Sequence, residues 1–158
     1  MMFDRAWIAA RIPHQGAMCL LDGVVDWNGQ RIACRANSHR ALDNPLRSNG
    51  CLHAACGIEY AAQAMAVHGA LCDVGSERPR AGFLASVRGV EFAVDRLDGI
   101  AAPLTIAAQR LGGDGNSVLY DFVLSGDGRM LIEGRAAVIL NAGGRVLGTE
   151  STANRSMT

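Results

Sequence analysis

The sequence predicts an α+β domain in which one long apolar helix is covered by an antiparallel sheet of about six strands. Three observations carry this. A run of small apolar residues from about Leu52 to Gly69 has no breaker inside it. Four strand-like segments follow it, the last three divided by short Gly- and Asp-rich stretches. Two more strand-like runs precede it, divided by Asn28-Gly29. A chain of 158 residues fits a single domain with its own core. Its boundaries are set at 1–142, and 143–158 read as a polar tail with the weak periodicity of a frayed terminus.

Taken in order, "AMCLLDGVVDW" and "QRIACRAN" are the first two strands. Asn28-Gly29 between them tolerates the positive φ of a tight hairpin. "SHRALDNPLRSNG" is a loop, because Pro45 and Gly50 both oppose continued regular structure. The helix follows, rich in alanine and capped near Gly69. "AGFLASVRGVEFAV", "APLTIAAQRL", "SVLYDFVLS" and "RMLIEGRAAVIL" complete an antiparallel meander turned by "GGDGN" and "GDG". The glycines of "LGGDGNS" are not a phosphate loop, since no Lys-Ser/Thr follows and no helix begins there. A helix apolar on nearly all sides and half wrapped by a sheet with open edges invites association with a second subunit.

Composition removes several function classes. Fifteen Lys+Arg balance fifteen Asp+Glu, so no broad field exists to hold nucleic acid or an anionic membrane. Five cysteines at positions 19, 34, 51, 56 and 72 form neither a disulfide framework nor a zinc pattern, so no metal is expected and a reducing compartment is. The N-terminus lacks a signal-peptide h-region. Ala54 to Leu71 approaches the length of a membrane span, but Glu59, Tyr60, Gln63 and His68 interrupt it. The expected location is the cytoplasm.

Glu59 is the one charged residue between Ser48 and Cys72. Its helical neighbours are Cys56, Ala55, Ala62 and Gln63, with no Lys or Arg within a turn to pair with it. A carboxylate so placed suits a general acid or base facing a narrow apolar tunnel. Gln63, one turn on, is the expected supporting amide. Four histidines, His14, His39, His53 and His68, are available, and spacing selects none of them.

The collinear set "IPHQGAMCLLDGVV", "GIEYAAQAM", "GFLASVRGVEF" and "LTIAAQRL" to "AAVIL" resembles the hotdog-fold 3-hydroxyacyl-acyl-carrier-protein dehydratases, most closely their aryl polyene branch, over roughly residues 8 to 141. The resemblance implies elimination of water from a 3-hydroxyacyl thioester held on the phosphopantetheine arm of an acyl carrier protein, without any dissociable cofactor. It implies a homodimer or a heterodimer with a second hotdog subunit, the catalytic carboxylate and histidine coming from opposite chains. Glu59 matches the family carboxylate and Gln63 its amide. The family's loop histidine has no counterpart: ungapped counting back from Glu59 reaches Pro45. His14, His39, or a histidine of another subunit would have to complete the site. Backbone amides around His53, Ala54 and Ala55 would polarise the thioester carbonyl, and Phe83 would line the acyl tunnel. A catalytically silent subunit and an acyl-thioester hydrolase on the same fold are the alternatives.

Overall fold

The computed structural model describes residues 1–75 and 81–141; the tail assigned to 143–158 lies outside the described residues. The elements are β1 (Phe3–Asp4), α1 (Arg5–Ala9), β2 (Gly23–Trp27), β3 (Arg31–Ala36), α2 (Gly57–Cys72), β4 (Ala81–Phe92), β5 (Leu104–Gly113), β6 (Ser117–Gly126) and β7 (Arg129–Asn141). Seven antiparallel strands form one sheet in the order β1-β2-β3-β5-β6-β7-β4. The sheet curls around α2 in the hotdog arrangement. The seventh strand is the two-residue β1, too short to leave a periodic signal.

Alternation along each strand decides which face meets the helix. In β6, Val118, Tyr120, Phe122 and Leu124 are buried while the residues between them are not. Ile106 and Ala108 of β5 and Ile32 and Cys34 of β3 continue the same inner face. From α2, Tyr60, Ala64, Met65, Val67 and Leu71 are buried against it. The opposite stripe of α2, including Ile58, Glu59, Ala62 and Ala66, is only partly covered. No helix among the described residues is long and apolar enough to cross a membrane.

Three local readings differ from the sequence-based expectation. The helix begins at Gly57 rather than Leu52, after a 3-10 turn at Ala54–Cys56, and it runs through Gly69 to Cys72. The Asn28-Gly29 turn uses no positive φ among non-glycine residues; the Asn28 side-chain oxygen instead accepts the Gln30 and Arg31 N–H groups at 2.8 and 3.0 Å. The left-handed conformation appears at Asn49-Gly50 (φ 52° and 77°) and Asp127-Gly128 (φ 53° and 72°), each closing a tight turn.

Gly57 explains how α2 seats on the sheet. A Cβ there would lie 2.2 Å from Ile132 Cδ1 and 3.0 Å from Leu124 Cδ2, both side chains fully buried. Gly57→Ala is therefore expected to destabilise the chain by ~1–3 kcal/mol through overpacking. Gly69→Ala, whose Cβ would meet nothing within 4 Å outside its own helix backbone among the described residues, should stabilise by ~0.5–1 kcal/mol on helix propensity alone. Calorimetry of the two variants side by side checks both signs.

Two histidines are structural. His39 is fully buried with Nε2 2.9 Å from the Ile100 carbonyl. His68 is fully buried between the Tyr120 hydroxyl and the Asn28 carbonyl, both at 2.8 Å. Burial lowers the pKa of each below 6.5. The unfolded chain then binds protons that the native one does not, so their contribution is present above pH ~6.5 and is lost as pH falls through the folded pKa values. Each is expected to cost up to ~1.4 kcal/mol per pH unit in that window, read as a falling melting temperature between neutral and mildly acidic pH.

Candidate active site

The site is assembled from the N-terminal segment and the first turns of α2. Asp4 caps α1 by accepting the Trp7 N–H at 2.9 Å. Ile8 and Ile12 anchor the segment in the core. The Gln15 side-chain amide donates to the Ala9 carbonyl at 2.7 Å, and the Arg5 guanidinium donates to the Gly16 carbonyl at 3.0 Å, where Gly16 has φ +57°. These bonds fix the turn that presents His14, directly after Pro13.

His14 Nε2 lies 3.0 Å from Glu59 Oε1. The structure thus brings together the two residues that the sequence could not connect, and it does so within one chain. The resemblance had implied that carboxylate and histidine come from opposite subunits. His14 Nδ1 is buried without a hydrogen-bond partner among the described residues. A proton there would be orphaned, so the arrangement favours Nε2–H donating to the Glu59 carboxylate. The side chains are 27% and 35% exposed, so in the single chain the pair lies on the open stripe of α2 and not in a closed tunnel.

Gln63 does not bond Glu59, contrary to expectation. It is fully buried and its amide turns to the other side: Oε1 accepts the Leu20 N–H at 2.9 Å and Nε2 donates to the Met18 carbonyl at 2.7 Å. It therefore ties the strand-entry segment just past His14 to the helix that carries Glu59. What Gln63 holds is the backbone that follows the histidine, not the carboxylate. Arg5 and Gln15 were missed by sequence reasoning; their only signal was a polar pair flanking a Pro-His turn.

The remaining candidates are placed as follows. His39, proposed as a catalytic alternative, is sealed from solvent and held by Ile100, which corrects that expectation. The Ala54 N–H is taken by the Asp95 carbonyl at 2.9 Å, so it cannot polarise a substrate carbonyl. His53 and Ala55 are exposed at the same turn, with His53 Nε2 3.5 Å from the Cys51 thiol. Phe83 lies on the free edge strand β4, 56% exposed. All five cysteines are free, and burial pushes up the thiols of Cys19, Cys56 and Cys72, with Cys34 raised to about 12. Raised thiols of this kind are poor nucleophiles, and Cys19 and Cys34 are buried as packing groups. Among the described residues no cluster of His, Cys, Asp or Glu is suited to a metal ion.

Comparison with known proteins agrees with this architecture. A family model described as the ApeP-like dehydratases matches residues 6–144. The dehydratase heterocomplex ApeI:P from Xenorhabdus doucetiae is similar in structure, with a TM-score of 0.75, 22% identity, and coverage of 86% of this chain and 91% of that one. Zebra fish thioesterase superfamily member 2 (TM-score 0.59, 15% identity, 87% and 95% covered) shares the fold. So does a mutant of the thioesterase PA1618 from Pseudomonas aeruginosa (TM-score 0.57, 16% identity, 76% and 81% covered). No curated protein matches the chain in sequence. With the helix-borne carboxylate, the hotdog sheet and a family match spanning nearly all of the described fold, the chain belongs to the ApeP-like dehydratase family.

Proposed function

We propose that this protein dehydrates 3-hydroxyacyl chains carried as thioesters on the phosphopantetheine arm of an acyl carrier protein, in fatty acid or polyene-type biosynthesis. The observation that carries the reading is the 3.0 Å contact between His14 Nε2 and Glu59 Oε1 on a partly open helix face. Dehydration breaks a C2–H and a C3–O bond and releases water, with no net uptake or loss of protons. Starting from the Glu59 carboxylate with the His14 Nε2–H donating to it, Glu59 takes the C2 proton and, as the carboxylic acid so formed, delivers it to the departing C3 hydroxyl, while His14 keeps the carboxylate oriented toward the chain. The exposed turn at Ala55, next to the start of α2, lies where a helix N-terminus favours the enolate-like charge on the thioester oxygen.

The working unit in this reading includes a second hotdog subunit. Ala55, Ala62 and Ala66 flank Glu59 with small side chains that let another backbone approach, and among the described residues β4 pairs only with β7, its other edge being unpaired there, with Phe83, Leu84 and Phe92 exposed. A partner across this side would close the apolar channel over the pair and cover the edge. Its identity as a related dehydratase subunit follows the composition of the Xenorhabdus heterocomplex. The cytoplasm, reducing enough to keep the thiols free, is the compartment.

The test supplies the purified chain, alone and with a related hotdog subunit, with a 3-hydroxyacyl carrier protein. The product is followed by absorbance of the conjugated double bond and by mass. An enoyl thioester is expected. Free acid would reassign the same pair to thioester hydrolysis, the activity of several fold neighbours. No product under either condition would remove the proposal.

A further inference from the structure

The sheet has a second face, turned away from α2, and its charges are arranged in a way the isolated chain does not use. On this face Arg88 of β4 is directly opposite Arg135 of β7, and one row further Glu91 is opposite Glu133. Glu91 shares a face with Arg88 despite the odd spacing because the register shifts between them, at Gly89 with φ +59°. All four residues line one open depression of about 720 Å³ together with Asp121 and Leu119. Like charges directly opposite across a strand pair are destabilising. Arg135 has relief from Asp121, 2.9 Å away; Arg88, Glu91 and Glu133 have no ion-pair partner among the described residues.

We infer that this outer face packs against the same face of a second copy of the chain. A two-fold axis lying between the sheets, and running across the strands between the two rows, reverses the order of the rows. It sets Arg88 and Arg135 of each copy opposite Glu91 and Glu133 of the other. That makes the patch self-complementary, as an isologous contact requires. Facing sheets pack ~10 Å apart, a gap that extended arginine and glutamate side chains bridge. Leu119, 37% exposed beside the charged rows, supplies apolar area to the contact. A partner of a single sign, such as nucleic acid or an acidic protein, would meet one row favourably and the other unfavourably. The inference does not rest on the proposed reaction, because His14 and Glu59 belong to the other side of the sheet.

The experiment is sedimentation velocity on the full chain at low and at high salt, with two charge-reversal variants. One is R88E/R135E, whose rows are all acidic; the other is E91R/E133R, whose rows are all basic. Wild type is expected to reach twice the mass of either variant at low salt, and to dissociate as salt screens the contact. Each variant alone should self-associate at least ~10-fold more weakly. An equimolar mixture of the two should regain the wild-type mass, since each acidic row then meets a basic one. Equal masses for wild type and variants would overturn the inference. So would loss in both variants without recovery on mixing, which would mean that the substitutions harm the fold rather than a contact.

Discussion

Glu59→Gln is expected to lower dehydration turnover by ~10²–10⁴-fold, the usual worth of a positioned acid or base, while leaving the melting temperature nearly unchanged. Glutamine keeps the length of the side chain, and its oxygen can still accept the His14 Nε2–H that Glu59 accepts at 3.0 Å. The partly exposed position of the side chain means that no buried charge is lost with it. Only the capacity to exchange a proton disappears. His14→Asn should cause a loss of the same order, and the double variant should be little worse than either single one, because groups acting as a unit are non-additive. Steady-state kinetics on the four proteins of this cycle, each assembled with the same hotdog partner, checks the claim. Additive losses would mean that the two residues act separately.

Gln63→Leu is expected to be a highly damaging substitution for stability. It would leave the Leu20 N–H and the Met18 carbonyl, now held at 2.9 and 2.7 Å, without partners in the interior. Two orphaned backbone groups cost ~1–3 kcal/mol each, which a denaturant titration would read directly. Activity should fall beyond what unfolding removes, because the segment freed is the one that follows His14, and a misplacement of about 1 Å costs on the order of 10²-fold. The loss should appear in kcat more than in KM. Gln63→Glu should be no milder than the leucine variant, because a carboxylate there would be a buried, unpaired charge facing the Met18 carbonyl.

The long-range architecture was legible because it rests on periodicity. Alternation in β6 and the uninterrupted small apolar run of α2 are strong signals, and the Gly-Asp-rich stretches marked the later hairpins correctly. β1 escaped because two residues have no period, and the helix start was placed early because Ala54–Cys56 is compositionally helical yet adopts a 3-10 turn. The family resemblance and the isolation of Glu59 pointed to one of the two side chains of the candidate site. The other depended on tertiary contact: His14 and Glu59 are 45 positions apart, and only the bracing of the N-terminal turn by Arg5, Gln15 and Gln63 sets them 3.0 Å from each other. Gln63 was singled out for the right spacing but assigned the wrong partner, since helical geometry gives the direction of Glu59 and does not reveal a buried segment on the far side.

The most direct measurement follows the proton itself. Hydration of an enoyl thioester in deuterated water, run with the assembled complex, places deuterium at C2 of the 3-hydroxyacyl product, where mass spectrometry detects it. Wild type is expected to incorporate the label at its turnover rate and Glu59→Gln to incorporate almost none. Undiminished labelling by the variant would show that the proton moves through some other group, and would contradict the account of this site.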